Sequence, residues 1–132
     1  MIDTSTLSGY LLDYYCALAE NMPNPRLRKH EREDTYICCI GDERNTLPKA
    51  YSPTTNPALA LPIIGKLFNS YNVIFNHDEN DKFIALYKIG NENNKCIYCG
   101  KIYPSLIETC IVTLVDLKFP DGLPEPIYES EK

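Results

Sequence analysis

The chain has 132 residues, 44% hydrophobic and 23% charged, with a net charge of −5. That is apolar material for the core of one domain; no apolar run approaches the roughly 18 residues a membrane span needs, and the acidic balance argues against nonspecific nucleic-acid binding, whose affinity comes from neutralising phosphates. The N-terminus has neither a basic n-region nor a long apolar core, so the six cysteines at 16, 38, 39, 96, 99 and 110 are expected as reduced thiols in a cytoplasm rather than as disulfides.

Leu7, Leu11, Tyr14 and Leu18 recur at helical spacing, which predicts an amphipathic helix over 6–20. Ser5 or Thr6 would cap it, Asn21-Met22-Pro23 would stop it, and Cys16 falls on its apolar face. Residues 23–50 read as a loop insertion. "PNPRLRKHERED" is polar and basic, with Arg26, Arg28, Lys29 and Arg32, while "TYICCI" at 35–40 suits a short strand. Asn56 before Pro57 marks a helix start. Pro62 would interrupt that helix at a cost of about 3 kcal/mol, so a short turn at 57–60 and a fresh helix from Pro62 are expected, with Ile63, Ile64, Leu67 and Phe68 on its buried side.

Three strands follow, at 72–76, 82–89 and 94–103. In the middle one Phe83, Ala85 and Tyr87 alternate with Ile84 and Leu86, the period of a sheet, and the short loops impose antiparallel pairing. "SLIE" at 105–108 fits a capping box. It opens a helix with Leu106, Ile107, Cys110, Ile111, Leu114 and Val115 on one stripe, ending near Lys118. The acidic, proline-rich residues 121–132 read as an extended or disordered tail behind a single domain of residues 1–120. The order α-α-β-β-β-α predicts a two-layer α+β fold, an antiparallel three-stranded sheet packed on helices. Its last part is laid out like a double-stranded RNA-binding domain. The start of the last helix, "YPSLIET", lacks the lysines that module uses to grip phosphates.

"YSPTTNPALALPII" resembles the signature of the NinX-like proteins, a small bacteriophage family. That pattern runs Tyr/Phe-Ser-Pro-Ser-Thr-Asp-Trp, a Gly-Gly pair, then Pro-Ile-Ile. Tyr51, Ser52, Pro53, Thr54, Thr55, Asn56, Pro62, Ile63 and Ile64 fill it without a gap; Pro57 stands at the Trp position and Ala60-Leu61 at the Gly-Gly pair. The Leu-rich opening helix and the acidic, proline-containing end agree with the family's layout. The resemblance implies a phage accessory protein in an infected bacterial cytoplasm, and no mechanism.

Several groups carry candidate chemistry. Cys96-Ile-Tyr-Cys99 is half of a zinc-ligand set, set in strand-like sequence, where a redox pair would open a helix. His77, Asp78, Glu79 and Asp81 crowd one turn, without the spacing of a calcium loop. No Ser or Cys has a base beside it, and no cofactor motif is visible. "YSPTTN" is open to two readings. As a capped turn, its side chains satisfy free amides at the helix start. As a ligand-binding lip, Tyr51 stacks on a base, Ser52, Thr54, Thr55 and Asn56 donate hydrogen bonds, and Arg26, Arg28 and Lys29 supply charge. The functional expectation is a non-enzymatic binding module that inhibits a host protein or sequesters a nucleotide-type signal, without a membrane partner, and with self-association left open. The alternatives are an enzyme acting on a small phosphorylated substrate through Asp78 or Asp81, and a recombination accessory protein associated with nucleic acid.

Overall fold

The computed structural model describes residues 7, 9–29, 35–41, 49–77, 82–89, 96–103 and 105–129. The cap at 5–6, Arg32 and the acidic turn at 78–81 lie outside them, as does the His77 side chain. The fold is α+β, in the order α1 (Gly9–Ala19), β1 (Arg26–Lys29), β2 (Tyr36–Ile40), β3 (Lys49–Ala50), α2 (Pro57–Ser70), β4 (Tyr71–His77), β5 (Lys82–Lys88), β6 (Cys96–Lys101) and α3 (Leu106–Lys118). The strands form two antiparallel sheets, β1-β2-β3 and β4-β5-β6.

Helix α1 is the centre. Every residue from Leu12 to Ala17 is buried, the pattern of a helix wrapped on all sides rather than lying on a surface. It packs on α3, β1 and β2. Its end is closed by a left-handed Asn21, with Met22 N donating to Ala17 O at 2.9 Å and Asn21 N to Leu18 O at 3.1 Å. That is a Schellman motif, and it satisfies carbonyls the last turn would otherwise leave free.

The loop reading of 23–50 needs correction. Besides the expected strand at β2, the basic stretch Arg26–Lys29 is itself a strand, in register Arg26↔Cys39 to Lys29↔Tyr36, and Lys49–Ala50 adds a third. Four residues with one leucine carry no readable alternation; β1 exists because both of its edges are filled. On its far side lie residues 127–129. Leu27 N donates to Ile127 O and Glu129 N to Leu27 O, each at 2.8 Å, as a parallel bridge. The expected tail is therefore extended but docked, with Leu123 8% exposed.

Helix α2 also departs from expectation. Asn56 caps it, accepting from Ala58 N at 3.1 Å, but the helix runs unbroken through Pro62. Proline removes one bond, to the carbonyl of Ala58. Ala58, Leu61 and Pro62 all face solvent, so water can take that carbonyl. Phe68, expected inside, is 45% exposed.

Helix α3 begins as the capping box requires, with Glu108 N donating to Ser105 Oγ at 3.3 Å. Ile111, Val112 and Val115 enter the core around α1. Cys110, with Leu114 and Leu117 beside it, enters a second core under the second sheet, among Leu67, Leu86, Val73 and Phe75. One helix thus joins both cores. The inner face of β6 is fastened to it by Tyr98, whose hydroxyl donates to Asp116 Oδ2. To reach it the Tyr98 ring lies over Gly100, where a Cβ would collide with the phenol. Gly100→Ala should displace Tyr98, break that bond and cost about 1–3 kcal/mol of stability in denaturant unfolding. In a Tyr98→Phe background, where the hydroxyl is already gone, the same change should cost less.

Candidate functional site

Residues 51–56 turn inward. The Tyr51 side chain is 3% exposed, its hydroxyl 3.8 Å from Cys16 Sγ, and Pro53 is fully buried. This corrects the expectation that Tyr51 stacks on a ligand base: the ring is a core side chain. Burial, then the neighbouring Cys16, holds its phenol protonated far above the usual range. Several of the remaining polar groups are spent locally. Ser52 O accepts from Thr55 N at 3.1 Å, Asn56 N at 2.9 Å and Thr55 Oγ1 at 3.4 Å. Asn56 caps α2, while the Thr54 hydroxyl oxygen is shut off from solvent with no hydrogen-bond partner among the described residues. Thr55 and Asn56 are exposed, but as part of a self-bonded turn.

The partner that seats this turn is Asp13, which the sequence reading passed over. It is 6% exposed on α1, and its Oδ1 accepts from Thr54 N at 2.9 Å. A carboxylate within the buried run of a helix is the signal that could have found it, since buried charges require a partner.

The basic cluster is not assembled beside the turn either. Arg26 is buried, its Nη1 donating to Asn24 O at 2.9 Å and Gly41 O at 3.2 Å. Arg28 forks onto Glu129, with Nε to Oε2 at 2.6 Å and Nη2 to Oε1 at 2.9 Å. That hydrogen bond holds the Glu129 carboxyl below its ordinary range. Lys29 is exposed at the end of β1. The two guanidiniums fasten the turn after α1 and the C-terminal segment.

The thiols divide by burial. Desolvation pushes Cys16 and Cys38 up to about 12 and Cys110 up to about 11, and raises Cys39, so these four stay protonated and inert. Cys96 and Cys99 are exposed. A bulge at Ile97 lets three steps of β6 span two of β5, so both thiols stand on the sheet face away from the helices. Among the described residues no group of three His, Cys, Asp or Glu side chains comes together to hold a metal ion.

Two other features stand out. A hollow of about 270 Å³ lies at the far end of α2, lined by Glu20, Lys66, Leu67, Ser70, Tyr71 and Leu117. It is roughly 15–20 Å from the 51–56 turn along the helix and slightly smaller than ordinary ligand pockets. Glu20 and Lys66 pair at 3.1 Å on its wall. The second feature is the outer face of the β4-β5-β6 sheet. Register puts Ile74, Ala85 and Cys99 abreast there, with Phe83 and Tyr87 on either side along β5. Ile74 is 51% exposed and Ile97 48%. Lys101, exposed and across from Phe83, stands at one end of the face. Sequence carries its signal in β5, whose residues are apolar on both faces.

Asp13 generates a pH dependence. Burial raises its carboxyl to about 6, the Thr54 amide pulls it back, and Glu108 pushes it further up. The folded chain keeps this proton to about pH 6, whereas the unfolded chain releases it near pH 4, so over that window the folded state binds more protons and stability falls as pH rises. Asp13→Asn keeps an acceptor for Thr54 and cannot ionise. Thermal unfolding across pH should show the decline between pH 4 and 6 flattened in the variant, and a gain of up to about 3 kcal/mol above it.

Compared with known proteins, the chain matches no family model, and no curated protein is similar to it.

Proposed function

We propose that the protein is a non-enzymatic binding module, a small phage accessory protein that docks on a host protein. The reading rests on the outer face of the second sheet. One-sided antiparallel sheets ordinarily turn polar residues to water, whereas this one turns out Ile74 and Ile97 with the half-buried Phe83 and Tyr87 around Ala85, leaving Asn72 and Asn76 as its polar residues on β4. Contiguous apolar surface of this kind marks protein contact. Lys101 at its end favours a partner with a carboxylate beside an apolar patch, because complementary charge steers encounter and fixes orientation. The resemblance of 51–64 to a phage signature supplies the host-cell setting. The signature residues act as fold determinants and not as the contact surface, and a nucleotide-sized ligand loses the stacking ring the sequence offered it.

A photo-crosslinker placed at Tyr87 should capture a bacterial protein in competition with unlabelled chain. Phe83→Asp should fail to compete, its affinity down about tenfold or more, with its unfolding curve unchanged. Raising the salt concentration should weaken capture. Capture that is equally strong from position 55, or undiminished competition by Phe83→Asp, would remove this face from the reading.

A further inference from the structure

The sheet edges of this fold are guarded unequally. An edge strand offers a row of free amides and carbonyls to any other strand, and proteins blunt such edges with cover, brevity, charge or bulges. The β1 edge is covered by residues 127–129, and β3 is two residues long. The β6 strand is bulged at Ile97 and ends in Gly100-Lys101. Among the described residues the β4 strand has none of these devices. It runs seven residues, Tyr-Asn-Val-Ile-Phe-Asn-His, without proline, bulge, lysine or carboxylate, and no described strand pairs with its outer edge.

The helix over that edge continues the pattern. On α2, Leu61, Gly65 and Phe68 fall within about 60° of arc, on the flank opposite Lys66, which is occupied by Glu20 of α1. Leu61 is 63% exposed and Phe68 45%, and Phe68 reaches down to Phe75 of β4, ring centroids 6.4 Å apart. Gly65 lies between them with nothing within 4 Å of the place a Cβ would occupy. The strip made by this flank and β4 carries no charged side chain at Leu61, Gly65, Phe68, Asn72 or Ile74, in a chain whose net charge is −5.

We infer that two copies of the chain associate through β4, edge to edge and antiparallel, with their α2 flanks packed against each other beneath the joined sheet. Ile74 is the middle of the seven residues. A twofold axis near it pairs β4 with its own copy and brings the two helices side by side, with Phe68 near its partner's Leu61. Gly65 sits where the helices approach closest. Three features select a second copy as the occupant. An edge that no described strand pairs suits an extended strand. A neutral strip lets two acidic chains meet without opposing like charges. An isologous contact uses each apolar residue twice. The result is one six-stranded sheet with a doubled outer face. The inference stands apart from the host-partner reading, because Phe83 lies on β5.

Sedimentation of the full chain over a concentration series tests it. Wild type should pass from monomer to dimer. Hydrogen exchange at 71–77 should slow with concentration while 96–101 stays unchanged. Phe68→Glu should weaken association at least tenfold. Gly65→Leu should also weaken association, yet leave the monomer folded with a higher melting temperature, since the position is open in the monomer and glycine is a poor helix former. Phe83→Asp should sediment as wild type does. A chain that stays monomeric throughout, a dimer that survives both α2 variants, or one that protects β6 in place of β4 would overturn it.

Discussion

The structure depends on the complete burial of α1. A helix enclosed from Leu12 to Ala17 has no water for its polar side-chain atoms, so each must find a partner elsewhere in the chain. Asp13 takes the amide of Thr54 and Cys16 the hydroxyl of Tyr51. Tyr14 Oη accepts from Ile127 N at 3.1 Å, and Tyr15 Oη donates to Pro124 O at 2.6 Å. Four neighbouring side chains of one helix thus fix the 51–56 turn on one side and the C-terminal segment on the other.

That requirement decides what the proline-rich centre is for. Hydroxyls, an amide and a phenol at a helix start have the ingredients of an anion site, and the same groups suit a plug that satisfies a buried helix. Here the rigid residues hold Tyr51 and Pro53 in the core and aim the Thr54 amide at Asp13. The tyrosines serve the same end at the C-terminal segment, where the Tyr36 ring meets Tyr10 tilted at 5.7 Å and Tyr128 edge-on at 5.0 Å. Their mixed character, apolar ring and hydrogen-bonding tip, suits a core that must hold irregular segments.

With the first core committed to structure, the exposed apolar surface apart from Ile127 and Tyr128 beside β1 lies mostly around the second. Helices α2 and α3 cover one face of β4-β5-β6, and no described element covers the other. Among the described residues Lys101 stands at its end, and β4 beside it carries no lysine or carboxylate. The half of the molecule with the simpler architecture therefore carries the surfaces on which both binding proposals rest.

Sequence alone determined the elements whose signals are local. The Asn56 cap and the Ser105 box follow from side chains that bond their own backbone within a few residues, the stop of α1 from a left-handed Asn21 ahead of Pro23, and the middle of the three later strands from alternation in a short window. It also determined the α+β class. Tertiary structure decided whatever depends on partners distant in sequence. Arg26–Lys29 became a strand because β2 and residues 127–129 fill its two edges, and α2 continued through Pro62 because the affected carbonyl faces water. Tyr51 went inside because Cys16, 35 residues away, was there to meet it. A polar residue in a local pattern reads the same whether its partner is solvent, a ligand or a remote carboxylate, and only the folded chain distinguishes them.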